Sequence, residues 1–403
     1  MITVRKSIKS NVESALIYLI MLLTLLIALS NIVSFQVNTS PVWLRIFLVS
    51  QIAVTVLDIF YLLFSYIRKR SIVLSSLKFF LYVIYILFVS LFVYSPSAYK
   101  MLASIAWPLT YVVYYLHFRE KNFTNSFRKC LVFCHLTCCL VLVRTVLTMS
   151  SVFTNAGPVY HAISYLPMVL LICNKKERIL LSVFASLLVL MTAKRAGFIT
   201  LIMGYSGYFF LKSIQFKTYR KKIQSLFGII VLALIASYFI ITLNEHIIDR
   251  LNRIEIDQGS GRLIIWESVL YSFLNSPLFN KLLGHGLNSV PTQIMPFGKP
   301  IFAHNSYLET LYDFGIIGLI GLLFIVFTMF KFLLRLIREK DELAPTAFFA
   351  MSIVLIFSSV SYFFEESNYI MMVVTYLGAI QGIYKKKHSN FVLSKDNMYN
   401  HII

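Results

Sequence analysis

LYDFGIIGLIGLLFIVFTMFKFLL, residues 311–334, holds one acid near its start and one base near its end, with nothing ionisable between those two. A helix rises about 1.5 Å per residue, so about 20 residues cross a hydrocarbon layer of about 30 Å. This run is long enough, and it lacks the alternation of a barrel strand. Comparable runs occupy 12–33, 42–66, 72–93, 98–117, 128–150, 158–173, 178–194, 196–214, 223–243, 345–364 and 368–384. The chain is therefore expected to be all-α, a polytopic transmembrane bundle of about 12 helices.

Composition and charge agree with that reading. The 403 residues are 58% hydrophobic and 13% charged, with mean hydropathy +0.77, where soluble domains carry about 25% charged residues. The net charge of +20 does not mark a nucleic-acid partner, because the basic residues sit in every second gap between the runs. They stand at Arg5, Lys6 and Lys9, at 68–70, at Arg119 and Lys121, at Lys175, Lys176 and Arg178, within 217–222, between Arg335 and Lys340, and at 385–387. Basic gaps face the cytoplasm. Both termini are thus expected inside, with 1–243 as the first set of spans, 244–310 as one large outer loop, and 311–403 as the final spans and a cytoplasmic tail. The first run lacks a small-residue cleavage pattern and reads as an uncleaved span.

The outer loop is the one long segment rich in Gly, Pro, Asn and charge. Within it Leu263, Ile264, Trp266, Val269, Leu270 and Phe273 recur at helical spacing. They predict an amphipathic helix over 262–275, lying on the membrane surface or on the bundle top and ended by Ser276 and Pro277. Gly284-His285-Gly286 reads as a tight turn and 291–300 as an irregular loop. His304-Asn305-Ser306-Tyr307-Leu308-Glu309 precedes the next span, where Asn305 or Ser306 caps the re-entering helix.

Lys194 and Arg195 are squeezed between two apolar runs on the outer side, against the inside bias. A cation near the hydrocarbon usually has a use, although a snorkelling pair is the plainer account of Lys194. Arg144 and His161, toward the outer ends of their spans, either join the same cavity or are hydrogen-bonded structural groups. Asp58 is a proton or ion site or a paired structural carboxylate; Glu365 and Glu366 suit a solvated turn. Cys130, Cys134, Cys138 and Cys139 share one span and read as small packing residues.

In order and context these residues resemble the O-antigen polymerases and O-antigen ligases. The resemblance runs over about 190–325: Thr192 with Arg195, Gly261-Arg262 before Trp266, Ser276-Pro277 with Gly284 and Gly286, then the run 304–309 leading to Gly315-Ile316-Ile317-Gly318. It implies a membrane glycosyltransferase at the outer face of the bacterial cytoplasmic membrane, with a periplasmic loop and a glycan on undecaprenyl diphosphate as donor. Guanidinium groups bind phosphate oxygens in a two-pronged fork without a metal. Arg195 and Arg262 are the first candidates for the diphosphate, with Arg250 and Arg253 behind them. His304 suits the base that takes the acceptor hydroxyl proton, and Glu309 orients it or shares the role. His285 is explained equally by the turn glycines around it.

No Asp-x-Asp pair and no glycine-rich phosphate loop is present to hold a nucleotide sugar, and nothing near Glu255-x-Asp257 completes a metal site. No metal or cofactor is expected. The partners implied are the carrier-linked oligosaccharide, membrane lipid and a chain-length regulator. Within the family the full 304–309 run before Gly315 favours a polymerase, with a ligase that passes glycan to lipid A core as the alternative. A flippase for the same lipid-linked units is the reading from another class, with Asp58 or Arg144 as its intramembrane charge.

Overall fold

The computed structural model describes residues 2–36, 41–69, 76–93, 101–148, 157–192, 194–220, 261–294, 300–361, 363–364 and 367–400, with the single positions 223, 227 and 298. Among them are 14 helices and no strand. These are α1 (Ile2–Gln36), α2 (Pro41–Lys69), α3 (Leu77–Phe92), α4 (Met101–Glu120), α5 (Asn125–Thr148), α6 (Gly157–Ile172), α7 (Lys175–Met191), α8 (Arg195–Gln215), α9 (Arg262–Leu274), α10 (Leu278–Leu283), α11 (Val290–Gln293), α12 (Ser306–Arg338), α13 (Ala344–Val360) and α14 (Ser367–Asn400). Each expected run that falls on described residues is a helix. The run 223–243 lies almost wholly outside them, as do Arg250, Arg253, Glu255, Asp257, Glu365 and Glu366.

Val12–Ser30, Arg45–Ile67, Asn125–Arg144 and Ser306–Arg338 are each long and apolar enough to cross a membrane, and α3, α6 and α13 contribute shorter apolar helices. The fold is an all-α membrane helix bundle. Its centre is α4, α6 and α14, where 104–115, 159–170 and 369–380 are buried on every side. Around them α2 leaves Ile52, Val56 and Phe60 exposed, and α12 leaves Ile320, Phe324 and Phe327 exposed. Apolar side chains facing outward in this way suit a hydrocarbon solvent.

Helices in lipid gain little from hydrophobic burial against each other and rely on close packing, which small residues permit. The most extensive pairing, α4 with α14, shows this. Gly378 and Gly382 lie one turn apart on α14, and a Cβ at either would strike the α4 backbone, at the carbonyl of Tyr111 and at that of Tyr115. The Tyr111 hydroxyl donates to Gln381 Oε1 at 2.5 Å beside them. On α8, Gly204 and Gly207 likewise receive the rings of Phe349 and Phe348 from α13.

At the loop end a small second core joins Ile265, Val269 and Phe273 of α9 to Val290, Ile294, Ala303 and Tyr312. The amphipathic helix expected over 262–275 is present as α9, followed by Ser276 and Pro277. One local expectation changes. The segment 291–300 opens with a helical turn, α11, because Asp313 accepts hydrogen bonds from the backbone N–H groups of Asn288, Ser289 and Val290 at 2.5, 2.9 and 3.3 Å, satisfying donors that a helix start leaves open. The re-entering helix begins at Ser306, directly after the expected cap Asn305, and breaks at Gly315, whose φ is 67° and ψ −171°. That break accommodates the 284–286 turn: His285 N donates to Tyr312 O and Gly286 N to Asp313 O, both at 3.0 Å. A Cβ on Gly284 would meet the backbone of Asp313 and Phe314, and one on Gly315 that of Leu282 and Gly284.

The opposite end of the bundle is basic and tied by charge. Arg128 pairs with Glu177 at 3.1 Å, Lys387 with Asp341 at 3.1 Å, and Lys121 with Glu13 at 3.4 Å. Gln215 Nε2, at the end of α8, donates to the Asp341 carbonyl at 2.6 Å.

Candidate functional site

His304 sits in the left-handed region with φ 51°, one residue before the cap of α12. The peptide just before it is held from both sides. Trp266 Nε1 on α9 donates to the Ala303 carbonyl at 2.7 Å, and the Ala303 N–H donates to Glu309 Oε1 at 2.5 Å. Asn305 then caps the helix, its Oδ1 accepting from Tyr307 N and Leu308 N at 3.0 and 3.2 Å. Ser306 Oγ donates to the Ser361 carbonyl and accepts from Phe364 N, which ties the start of α12 to the α13–α14 connection. Glu309, 2% exposed, thus stabilises the backbone that carries His304.

The cations gather around that imidazole. Arg262 is the first residue of α9, after Gly261 in the left-handed region at φ 74°, and Arg195 is the first residue of α8. Arg262 lies within electrostatic reach of both Arg195 and Tyr160 of α6, and Arg262 and Lys194 both act on His304. Burial first, then the charges of Arg262 and Lys194, push the His304 pKa down to about 4. Burial also lowers the Arg262 pKa; the Tyr160 phenol opposes that shift and Arg195 adds to it. A guanidinium remains a cation under such a shift. The starts of α8 and α9 have no side-chain cap, so their first N–H groups add to the positive field.

The structure therefore brings together Arg195, Arg262 and His304, with Glu309 behind the loop. Two members were not legible as such. Lys194 reads from sequence as an interface cation, yet it faces His304. Tyr160, 5% exposed, packs on Phe357 and Tyr369 with ring centroids 4.3 and 5.2 Å away; a tyrosine in an apolar run carries no signal of a site. Its neighbour His161 is buried beside Tyr369, and its Nε2 has no hydrogen-bond partner among the described residues. Arg144 is exposed on α5.

Other polar groups have structural surroundings. His285 stacks on Tyr312 with centroids 4.1 Å apart and 7° between planes, and its Nε2 lies 2.9 Å from Ser276 Oγ. Asp58 is buried between α2 and α4, where the Thr110 hydroxyl donates to its Oδ2 at 2.5 Å. Cys134, Cys138 and Cys139 are fully buried, although a histidine does accompany them: His135 Nε2 is 3.8 Å from Cys139 Sγ.

Residues 180–323 match the sequence profile of the family described as O-antigen ligase. The match supports, over this segment, the resemblance to the O-antigen polymerases and ligases. The matched stretch is informative in its position, since it runs from α7 through α9–α11 into α12 and contains Lys194, Arg195, Arg262, His304 and Glu309. Tyr160 lies outside it. No curated protein sequence matches the chain. The matched segment and the helical fold together support a membrane protein similar to the O-antigen ligases and polymerases.

Proposed function

We propose that this chain is an O-antigen, or related surface polysaccharide, polymerase that joins undecaprenyl-diphosphate-linked repeat units at the outer face of the cytoplasmic membrane. The observation that carries the reading is the clustering of cations from two helix starts at one imidazole: Arg262 and Lys194 act on His304, and Arg195 lies within electrostatic reach of Arg262. Arg195 and Arg262 bind the donor diphosphate and stabilise it as it leaves with the bonding electrons. The acceptor hydroxyl oxygen forms the new bond to the anomeric carbon while the bond to the diphosphate breaks, and His304 takes the hydroxyl proton. With two cations and a neutral base supplied by side chains, the step is written without a metal. Glu309 positions His304 through Ala303. The basic residues at the opposite end of the bundle support a cytoplasmic placement there and a periplasmic one for the loop.

The description of the matched family as O-antigen ligase favours a second reading, in which the chain transfers finished glycan to lipid A core. Purified protein incubated in detergent with lipid-linked repeat units separates the two. A ladder of longer carrier-linked glycans is expected, lost for the most part in Arg195→Lys and Arg262→Lys, because a point charge cannot reproduce the guanidinium fork. Transfer to added lipid A core with no ladder would replace the polymerase by the ligase. No transfer to either acceptor, with lipid-linked units instead crossing vesicle membranes, would leave the transporter.

A further inference from the structure

The pair α9 and α10 has two apolar faces. The first, Ile265, Val269 and Phe273, is consumed by the small core. The second is uncovered among the described residues. It comprises Leu270, Tyr271 and Leu274 of α9 and Leu278, Phe279 and Leu282 of α10, with Leu274, Leu278 and Phe279 exposed by 64%, 72% and 61%. No residue of α10 is buried. Water does not favour a contiguous apolar surface of this kind, and such surfaces mark contact with protein or lipid.

What lies next to the surface identifies its occupant. The C-terminal end of α10 abuts the break in α12: a Cβ on Gly315 would come within 2.6 Å of Gly284 N and closer still to the Leu282 carbonyl. Beyond Gly315 the helix carries no ionisable side chain until Lys331. The first residues after the break, Ile316, Ile317 and Ile320, are exposed apolar groups on the lipid side of the bundle. Leu282 thus adjoins the start of this exposed apolar run, and Phe279 and Leu278, also exposed, lie about one turn back along α10.

We propose that α9 and α10 are half-sunk in the bilayer leaflet at the loop end of the bundle, with the exposed face in contact with acyl chains and the other face closing the small core. A helix pair so placed has one mainly apolar side in the headgroup and acyl boundary; its charged residues besides Arg262 are Lys281 and Glu267, the latter exposed within the same stripe as Leu270 and Leu274, so its carboxylate must reach up to the headgroups. The first residue of α9, Arg262, is thereby held at headgroup depth, level with a lipid-borne phosphate. The inference rests on α12 crossing the membrane and stands independently of which transfer the protein performs.

Nitroxide labels at Leu278→Cys and Phe279→Cys in the full chain, reconstituted in phosphatidylglycerol and phosphatidylethanolamine vesicles, test it. Phe327→Cys on the spanning part of α12 is the lipid reference. Four of the five native cysteines are buried, and the unsubstituted chain reports their background. Expected is high collision with dissolved oxygen and low collision with a water-soluble nickel chelate at both sites, as at 327. High nickel collision would put the face in water and overturn the proposal. Low collision with both quenchers would also overturn it, showing a protein cover, and dipolar broadening between labels would identify that cover as a second copy.

Discussion

At the scale of single residues, His304 was the easiest to name and the hardest to characterise. Its place in 304–309 is visible along the chain, but its surroundings come from α8 and α9. An imidazole must be neutral to accept a proton, and burial with the Arg262 and Lys194 charges disfavours the imidazolium. The base form therefore persists as pH falls, until about 4. The predicted profile of kcat/KM, which reports the free enzyme, is flat through neutral pH with an acid limb near that value. Lys194→Gln removes one positive neighbour, so the limb should move up toward the ordinary histidine value of about 6.5. His304→Ala should lose about 10²–10⁴-fold in rate and lack the limb while still binding donor. A limb already near 6.5 in the unsubstituted protein, or one that Lys194→Gln leaves in place, would count against this electrostatic account. Lys194 escaped the sequence reading because a cation flanked by apolar runs looks the same whether it faces headgroups or a histidine.

At the scale of elements, the start of α12 joins local chemistry that residue types announce to contacts that they do not. Asn305 as a cap follows from its side chain and position. That Glu309 would spend an oxygen on the Ala303 N–H does not follow, since a carboxylate before a span equally suits proton transfer. The two roles predict different variants. Glu309→Gln keeps an acceptor for Ala303 and should retain activity within a few-fold. Glu309→Ala leaves a buried N–H unpaired, costing about 1–3 kcal/mol, and should lower both the melting temperature and the transfer rate. Activity lost equally in both variants, with unchanged melting of Glu309→Gln, would instead make Glu309 a proton carrier. Of the residues whose periodicity marks α9, Val269 and Phe273 face inward while Leu263, Ile264 and Leu270 are exposed, and the buried Ile265 was not among them. Which apolar side chains turn inward was not legible, because hydropathy does not distinguish a side chain that meets protein from one that meets lipid.

At the scale of the whole molecule, the bundle was legible because hydropathy reports the solvent of each run directly, and α1–α8 and α12–α14 follow the runs closely. Pairing was not legible, since apolar helices give no signal of which neighbour they touch. Orientation is still an expectation with a direct test. A cysteine at Asn275, exposed after α9, should react in intact cells with a membrane-impermeant maleimide, and one at Ser389, exposed on α14, only after the membrane is opened. The reverse pattern would invert the topology and remove the mechanism with it. The meeting of Gly378 and Gly382 with the backbone of α4 has a consequence for biosynthesis. Tyr111 waits 270 residues for its partner Gln381, so α4 enters the membrane long before the helix shaped to fit it has been made. Until α14 arrives, the ribosome has produced a bundle with an empty central slot, and a chain that stops short of Gly378 stays open there for as long as it survives.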